Sequence, residues 1–433
     1  MKARKDPRTS LAPGVRWHEV WAWAMFDFAN SGYTTLVITA VFNAYFVSVV
    51  AGNAVWATLA WTATISVSYA LAMLAGPVLG AYADIHAEKK LLLLITTVGC
   101  VGFTAGLALV GPGNIWLAVM LVVVSNFFFS AGENLIAGFL PELAKGRALG
   151  KVSGWGWGWG YFGGIASLMC SLAYVSWAQG RGQGASQYVP VTMLITAGLF
   201  ALASLPTFLL LKERAVPQMN VSFSAAQALR RLVQTLVHIR HYRDLAWFFL
   251  CITVYQAGVQ VVIALAAIYA EQAMGFTTRE TIELILVVNF TAALGAILFG
   301  HVQDRIGHRP AIALTLVGWL AMVLLAWTAR DRTTFWIAAQ LAGLCLGSSQ
   351  SAGRALVGYL SPAARRAEFF GLWGFAVKLS SIIGPLSYGL VNWLSGGDHR
   401  LAMLFTGVFF LGGLALLIPV DVRRGRRHAL RSA

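Results

Sequence analysis

Asp27 stands inside the first long apolar run of this 433-residue chain, followed by Asn30, Ser31 and Thr34. Spacings of three, four and seven put all four residues on one face of a helix. A carboxylate with three neutral hydrogen-bonding neighbours can exchange a proton, orient a small solute or serve in a gate. The same stripe can also hold two helices together through hydrogen bonds. The ionisable Asp27 favours the functional reading. Asn126, Ser130 and Glu133 line up in the same way, as do Gln350, Ser351 and Arg354. Gln256 and Gln260, one turn apart, are neutral candidates for solute contact. Lys378, with Ser381 one turn on, either meets a solute carboxylate or reaches an interface along its aliphatic stem.

These groups are out of place because of what surrounds them. The chain is 58% hydrophobic and 11% charged, with a mean hydropathy of +0.69. A water-facing surface needs roughly 25% charged residues. Apolar runs of about 20 residues, enough to span a bilayer as a helix, recur along the length. They lack the alternation of an outer-membrane barrel. The fold expected is all-α and integral to the membrane, with twelve transmembrane helices near 20–50, 54–82, 91–110, 114–140, 152–177, 189–212, 244–270, 280–301, 310–328, 333–360, 368–394 and 400–420. An intramembrane charge costs roughly 2.5–3.5 kcal/mol on insertion scales, so each one needs a reason.

The net charge of +15 is distributed as membrane proteins distribute it. With these spans, 25 of the 32 Lys and Arg fall on one side and 5 on the other, and Arg354 and Lys378 remain inside spans. That bias marks the cytoplasmic side and places both termini there. The basic start, residues 1–16, has no signal-peptide pattern. The tail arginines Arg423, Arg424, Arg426, Arg427 and Arg431 are expected against anionic headgroups rather than nucleic acid. Cys100, Cys170, Cys251 and Cys345 read as buried packing thiols. No nucleotide-binding loop, metal cluster or nucleophile–base set appears, so neither an enzyme nor a cofactor or metal is expected. A polar stretch around 213–243 separates two halves, with a short amphipathic helix expected around 225–239.

The halves are copies. Gly80 and Asp84 recur as Gly300 and Asp304, shifted by 220; Pro141 and Gly150 recur as Pro362 and Gly371, shifted by 221. The 221 shift carries Glu133 onto position 354, so opposite charges occupy equivalent places and are expected either to pair permanently or to open during a cycle. The organisation expected is a segment 1–19, a six-helix bundle 20–212, a connector 213–243, a second bundle 244–421 and a basic tail 422–433. Two parallel six-span halves are a transporter plan.

Gly300 to Arg309, with Asp304, Arg305 and Gly307, resembles the major facilitator loop signature G-x-x-x-D-R-x-G-R. The first copy keeps Gly80 and Asp84 but has Ile85 and Ala87 where Arg and Gly are expected. Such a loop can pair its Asp with a helix N-terminus and its Arg with a carboxylate, as a cytoplasmic gate; otherwise it is a charged tight turn. Trp23 to Tyr33, and the run Ala367-Glu368-Phe369-Phe370-Gly371-Leu372, resemble first-span and tenth-loop motifs of the vacuolar amino-acid effluxer-like branch of that superfamily. The resemblance implies a monomeric carrier of small solutes in the bacterial inner membrane. It implies export, with amino acids as the substrate class of eukaryotic members. Asp27 and Glu133 are the carboxylates that could titrate, with protons as the candidate coupling ion. A receptor that kept the fold without flux, or a lipid flippase, are the alternatives. In the Gly154 to Gly160 run, Gly156, Gly160 and Gly164 recur every four residues as a seam for close helix packing, with Trp155 and Trp159 on another face.

Overall fold

The computed structural model describes residues 11–144, 148–215, 217, 224–362 and 366–431. Its helices are α1 Trp17–Tyr33, α2 Phe42–Tyr45, α3 Ala57–His86, α4 Lys89–Gly106, α5 Ile115–Ala137, α6 Leu140–Leu143, α7 Ala148–Gly180 and α8 Ala185–Leu210. After the connector helix α9 Ala225–His238 come α10 Arg243–Met274, α11 Thr278–Ile306, α12 His308–Thr328, α13 Arg332–Leu360, α14 Arg366–Leu394, α15 His399–Leu417 and α16 Val422–Arg431. Among the described residues the only β pairing is an isolated bridge between Leu11 and Ala144. The helix expected in the connector is thus present as α9.

Among the described residues, eleven helices are long and apolar enough to cross a membrane, counting Trp17–Val50 as one. At 29 residues α13 is long enough too, but Gln340, Ser348, Ser349, Gln350, Ser351 and Arg354 dilute its apolar character. The expected span missing from this count is the tenth, which carries Gln350 and Arg354.

The first span is not a regular helix. Past Tyr33 the turns widen to π-helix over Thr34–Ala40, the chain breaks at Val41 (φ −125°, ψ −62°), and wide turns return at Phe46–Val50. Crowded β-branched residues and hydroxyls that bond back to the preceding turn both loosen α-helix. Here Thr35 Oγ1 donates to the Ser31 carbonyl at 2.7 Å, and Asn43 Nδ2 to that of Thr39 at 3.1 Å.

Two compact units result. Unit 1 is Met1–Ile38 with Leu74–Leu229; unit 2 is Thr39–Met73 with Arg230–Ala433. The far part of the first span and the near part of α3 therefore pack within unit 2. There Asn43 Nδ2 donates to the Ala264 carbonyl at 3.1 Å, and Ser66 Oγ to that of Ile382 at 3.1 Å.

Helix ends carry the expected chemistry. Thr277 and Glu280 form a capping box at the start of α11, Asp331 caps α13 and Asp398 caps α15. Gly275 closes α10 with φ +66°. Cys100, Cys251 and Cys345 are buried, whereas Cys170 lies exposed on the outer side of α7, against expectation.

Candidate functional site

In unit 1 the site residues are placed by two helix pairings. Along the first, the glycines of α7 receive α1. A methyl added at Gly163 would stand 2.0 Å from the Phe28 carbonyl oxygen, and one at Gly160 would stand 3.0 Å from Ser31 Oγ. At Gly156 it would meet Asp27 Oδ2 at 2.5 Å and the Trp23 ring at 2.7 Å. The glycine seam is therefore a packing device, as expected, and Gly156 is also the seat of the Asp27 carboxylate. Trp155 stacks near Trp17, and Trp159 lies 6.3 Å from Phe28.

The second pairing is α1 against α5, running antiparallel. Trp23 Nε1 donates to the Ile136 carbonyl at 2.9 Å, Phe26 lies over Gly132, and Tyr33 bonds Ser125 at 2.9 Å while stacking on Phe129. This register brings Asp27 level with the turn of Glu133, Asn30 with that of Ser130, and Thr34 with that of Asn126. Asp27, Ser31, Thr34 and Glu133 are half-buried, and Asn30 and Asn126 are buried. Neither amide atom of Asn126 has a hydrogen-bond partner, nor has Asn30 Oδ1. An unpaired buried amide forfeits about 1–3 kcal/mol, and lipid offers it no partner.

Unit 2 holds a second polar cluster. Gln256 Nε2 donates to Gln350 Oε1 at 3.2 Å, which leaves Gln256 Oε1 buried and unpaired. Tyr255 Oη, also buried and unpaired, lies where a methyl on Gly353 would stand 2.6 Å away. Arg354 packs 4.9 Å over the Trp373 ring, whose Nε1 is a third buried unpaired atom. Gln260 is half-buried one turn beyond Gln256. Lys378 is half-buried with Nζ 5.1 Å from the centroid of the Tyr69 ring, so its ammonium rests on an aromatic face. Tyr255 and Trp373 were not singled out in the sequence, where they are two among 12 Tyr and 16 Trp. The polar neighbour of Tyr255 was the one usable signal. Glu133 belongs to unit 1 and Arg354 to unit 2.

The loop motifs differ from expectation in detail. Asp84 does not cap α4; it pairs with the Lys89 ammonium at 2.9 Å, and Lys89 also meets Glu142 at 3.1 Å. The acid at the α4 N-terminus is Glu213 of the connector, which accepts from the backbone N–H of Lys89 at 2.7 Å and of Lys90 at 3.1 Å. In the second copy Arg309 donates to the Ile418 carbonyl at 2.9 Å rather than to a carboxylate, and Arg305 is exposed. A helix C-terminus draws a cation as a carboxylate does. The Asp304 side chain, the surroundings of Gly300, residues 363–365, and the side chains of Arg366, Ala367 and Glu368 lie outside the described residues. Gly307 has φ +89°, and Ala87, its equivalent at the 220 shift, holds a left-handed φ of +56°.

The family model "Vacuole effluxer Atg22 like" matches residues 47–430. The chain belongs to that family. The MFS-type transporter YxiO of Bacillus subtilis is 29% identical over 402 residues, covering 90% of this chain and 92% of that one. Autophagy-related protein 22 of Cryptococcus neoformans is 28% identical over 205 residues, 44% of this chain and 35% of its own length. Among solved structures, a bacterial homologue of the human lysosomal transporter Spinster superposes with TM-score 0.72 at 12% identity, covering 97% of this chain and 99% of that one. The nucleoside transporter NupG gives TM-score 0.69 at 15% identity, covering 94% of this chain and 99% of that one. The fold is that of the major facilitator transporters, and the family and these neighbours are transporters rather than enzymes.

Proposed function

We propose that the chain is a secondary active transporter that exports a small metabolite of the amino-acid class by alternating access, coupled to protons. On this reading it works as a monomer in the bacterial inner membrane, with both termini and the 213–243 connector cytoplasmic. The basic bias of the loops supports that orientation. The six-helix bundles are 20–212 and 244–421.

The observation that carries the reading is the set of unpaired amide atoms on Asn30, Asn126 and Gln256, buried among apolar helices. Folding alone gives no reason to leave them unpaired; a solute with its own donors and acceptors does. Asp27, seated on Gly156 and one turn from Asn30 within unit 1, is the carboxylate proposed to couple proton and solute. Glu133 adds a second carboxylate at the same level. Gln350, Arg354 and Lys378 supply polar and cationic groups in unit 2.

The test is counterflow of labelled amino acids in proteoliposomes, with and without a pH gradient. Asp27→Asn keeps the shape and removes the charge, so gradient-driven flux should fall at least tenfold while insertion and thermal stability persist. Full pH-driven flux in Asp27→Asn would make this carboxylate structural. Absence of flux for every amino acid tried would remove the substrate class.

A further inference from the structure

Glu271 is a carboxylate that the proposed function leaves unused. It lies in the last turn of α10, where the unpaired carbonyls of a helix end concentrate negative potential. Its Oε1 is shielded from solvent and takes no hydrogen bond. The hydroxyls of Thr278 and Thr281 from α11 lie beside it. Thr281 is completely buried, and its hydroxyl is itself unpaired.

Among the described residues no cation pairs with this carboxyl: Arg305 lies at the far end of α11, and the arginines at the near ends of the neighbouring elements are engaged elsewhere. On α11, Arg279 pairs with Glu283 at 2.9 Å. From α13, Arg332 is bound to Glu280 and donates to the Gly275 carbonyl at 3.3 Å. From α15, Arg400 binds the carbonyls of Trp327 and Ala329. Asp331 and Asp398, at the starts of α13 and α15, are engaged as helix caps. Tyr269 donates to the Ala326 carbonyl at 2.7 Å, and Tyr388 contacts His399 at 3.1 Å. The stretch 39–73 brings no charge, and among its described side chains α14 brings only Lys378, which sits over Tyr69. An anion left in this position would face a helix C-terminus with no counter-ion, and a proton removes that conflict.

We propose that Glu271 is a proton-binding site of unit 2, lying at the end of α10 opposite Asp244 and carrying its proton on a carboxyl flanked by Thr278 and Thr281. Protonation neutralises the carboxyl against the α10 carbonyls, and a protonated carboxyl can both accept from and donate to the flanking hydroxyls. The role in coupling rests on the transport reading above; proton binding itself does not.

The experiment needs no substrate. The full chain in liposomes is taken through a pH titration, and infrared difference spectra follow the C=O stretch of protonated carboxylic acids. The wild type should show a band at neutral pH that disappears on alkalinisation and is lost in Glu271→Gln, while Asp27→Asn and Glu133→Gln retain it. Glu271→Gln should unfold no earlier than wild type, since the amide is neutral like the protonated carboxyl and keeps one accepting oxygen and one donating group. A band unchanged in Glu271→Gln overturns the assignment. So does a titration midpoint that moves when Na⁺ replaces K⁺, which would make the site a sodium site. If the band is lost but pH-driven flux in Glu271→Gln equals that of wild type, the coupling role fails and the proton site stands.

Discussion

Each unit closes one end with the same clasp, built to different depths. In unit 1, Glu19 in the first turn of α1 is gripped by Arg214 just past α8, with guanidinium–carboxylate contacts of 2.8 and 2.9 Å. In unit 2, Asp244 in the first turn of α10 is gripped by Arg424 just past α15, at 2.7 and 2.9 Å. Both acids are buried. Asp244–Arg424 is a two-pronged hydrogen-bonded pair, the strongest geometry available to Arg, whereas in unit 1 Arg214 hydrogen-bonds Glu19 Oε1 and meets Oε2 by charge contact alone. The two clasps are alike in chemistry, although Glu19 and Asp244 are 225 positions apart and Arg214 and Arg424 are 210 apart, off the 220–221 shift of the repeat.

The difference lies in what surrounds each clasp. Around Arg214, Glu142 Oε2 accepts from its backbone N–H at 2.8 Å and Glu142 also ties in Lys89, while Glu213 caps α4. Around Arg424 stands the short helix α16, started by Asp421 and steadied by Arg426 on the Tyr359 carbonyl at 3.0 Å. Arg424 is 48% exposed and Arg214 26%. The same kind of clasp is part of a network in one unit and a surface latch in the other. This revises the tail's expected role, since Arg424 and Arg426 are held by protein while Arg423 and Arg427 remain exposed.

The largest effect should follow from breaking the deeper clasp. Arg214→Gln leaves Glu19 buried without its counter-charge, which costs about 3–5 kcal/mol when one partner of a buried pair is removed. Thermal unfolding should show a large loss, and Glu19→Gln with Arg214→Gln should recover part of it. Arg424→Gln should cost clearly less. Equal losses at the two clasps would mean that the surrounding network adds nothing.

Much of this was legible in the sequence and some was not, for physical reasons. Long apolar runs marked the helices, and a four-residue glycine period gave the α1–α7 seam, because both signals are local. The clasps were hidden because Glu19 and Arg214 lie 195 positions apart and each looks like an ordinary interfacial charge. Val41 gives no sign of a break, since β-branched residues are common in membrane helices. Stripes such as Asp27–Asn30–Ser31–Thr34 were found by spacing. Their seats on Gly156 and against α5 depend on tertiary register, which spacing does not encode. Asp84 was expected at a helix N-terminus but pairs with Lys89, because a helix N-terminus accepts any nearby acid and Glu213 reaches it from the connector.

The two loop turns offer a test of middle size. Gly307 holds φ +89° with ψ +166°, a region essentially reserved for glycine. Gly307→Ala should destabilise unit 2 by about 1–3 kcal/mol. Its counterpart Ala87 already carries a left-handed φ of +56°, a strain of about 1–2 kcal/mol for a residue with Cβ. Ala87→Gly should therefore stabilise by about 1 kcal/mol, less the added chain entropy of glycine. The check is a pair of melting curves moving in opposite directions. Movement in the same direction would show that the first copy has relaxed around alanine.

The smallest effect concerns pH and separates the surface latch from the network. Asp421 lies outside the spans, and the N–H groups of Arg424 and Arg423 that it caps hold its carboxyl below the usual value, with the nearby Arg424 charge adding to this. A carboxyl lowered on folding stabilises the folded form fully above its unfolded value of about 3.9, and that contribution is lost as pH falls through the lower folded value. The start of α16 should therefore loosen only in acid below about 4. Hydrogen exchange of the α16 amides, taken relative to their intrinsic rates, should rise there while the amides of Lys89 and Lys90 stay protected. Asp421→Asn retains a capping oxygen but has no proton to gain, so it should abolish the acid step. If the step survives in Asp421→Asn, the acid sensitivity belongs to Asp244 beneath it, and the latch opens at the clasp rather than at the helix start.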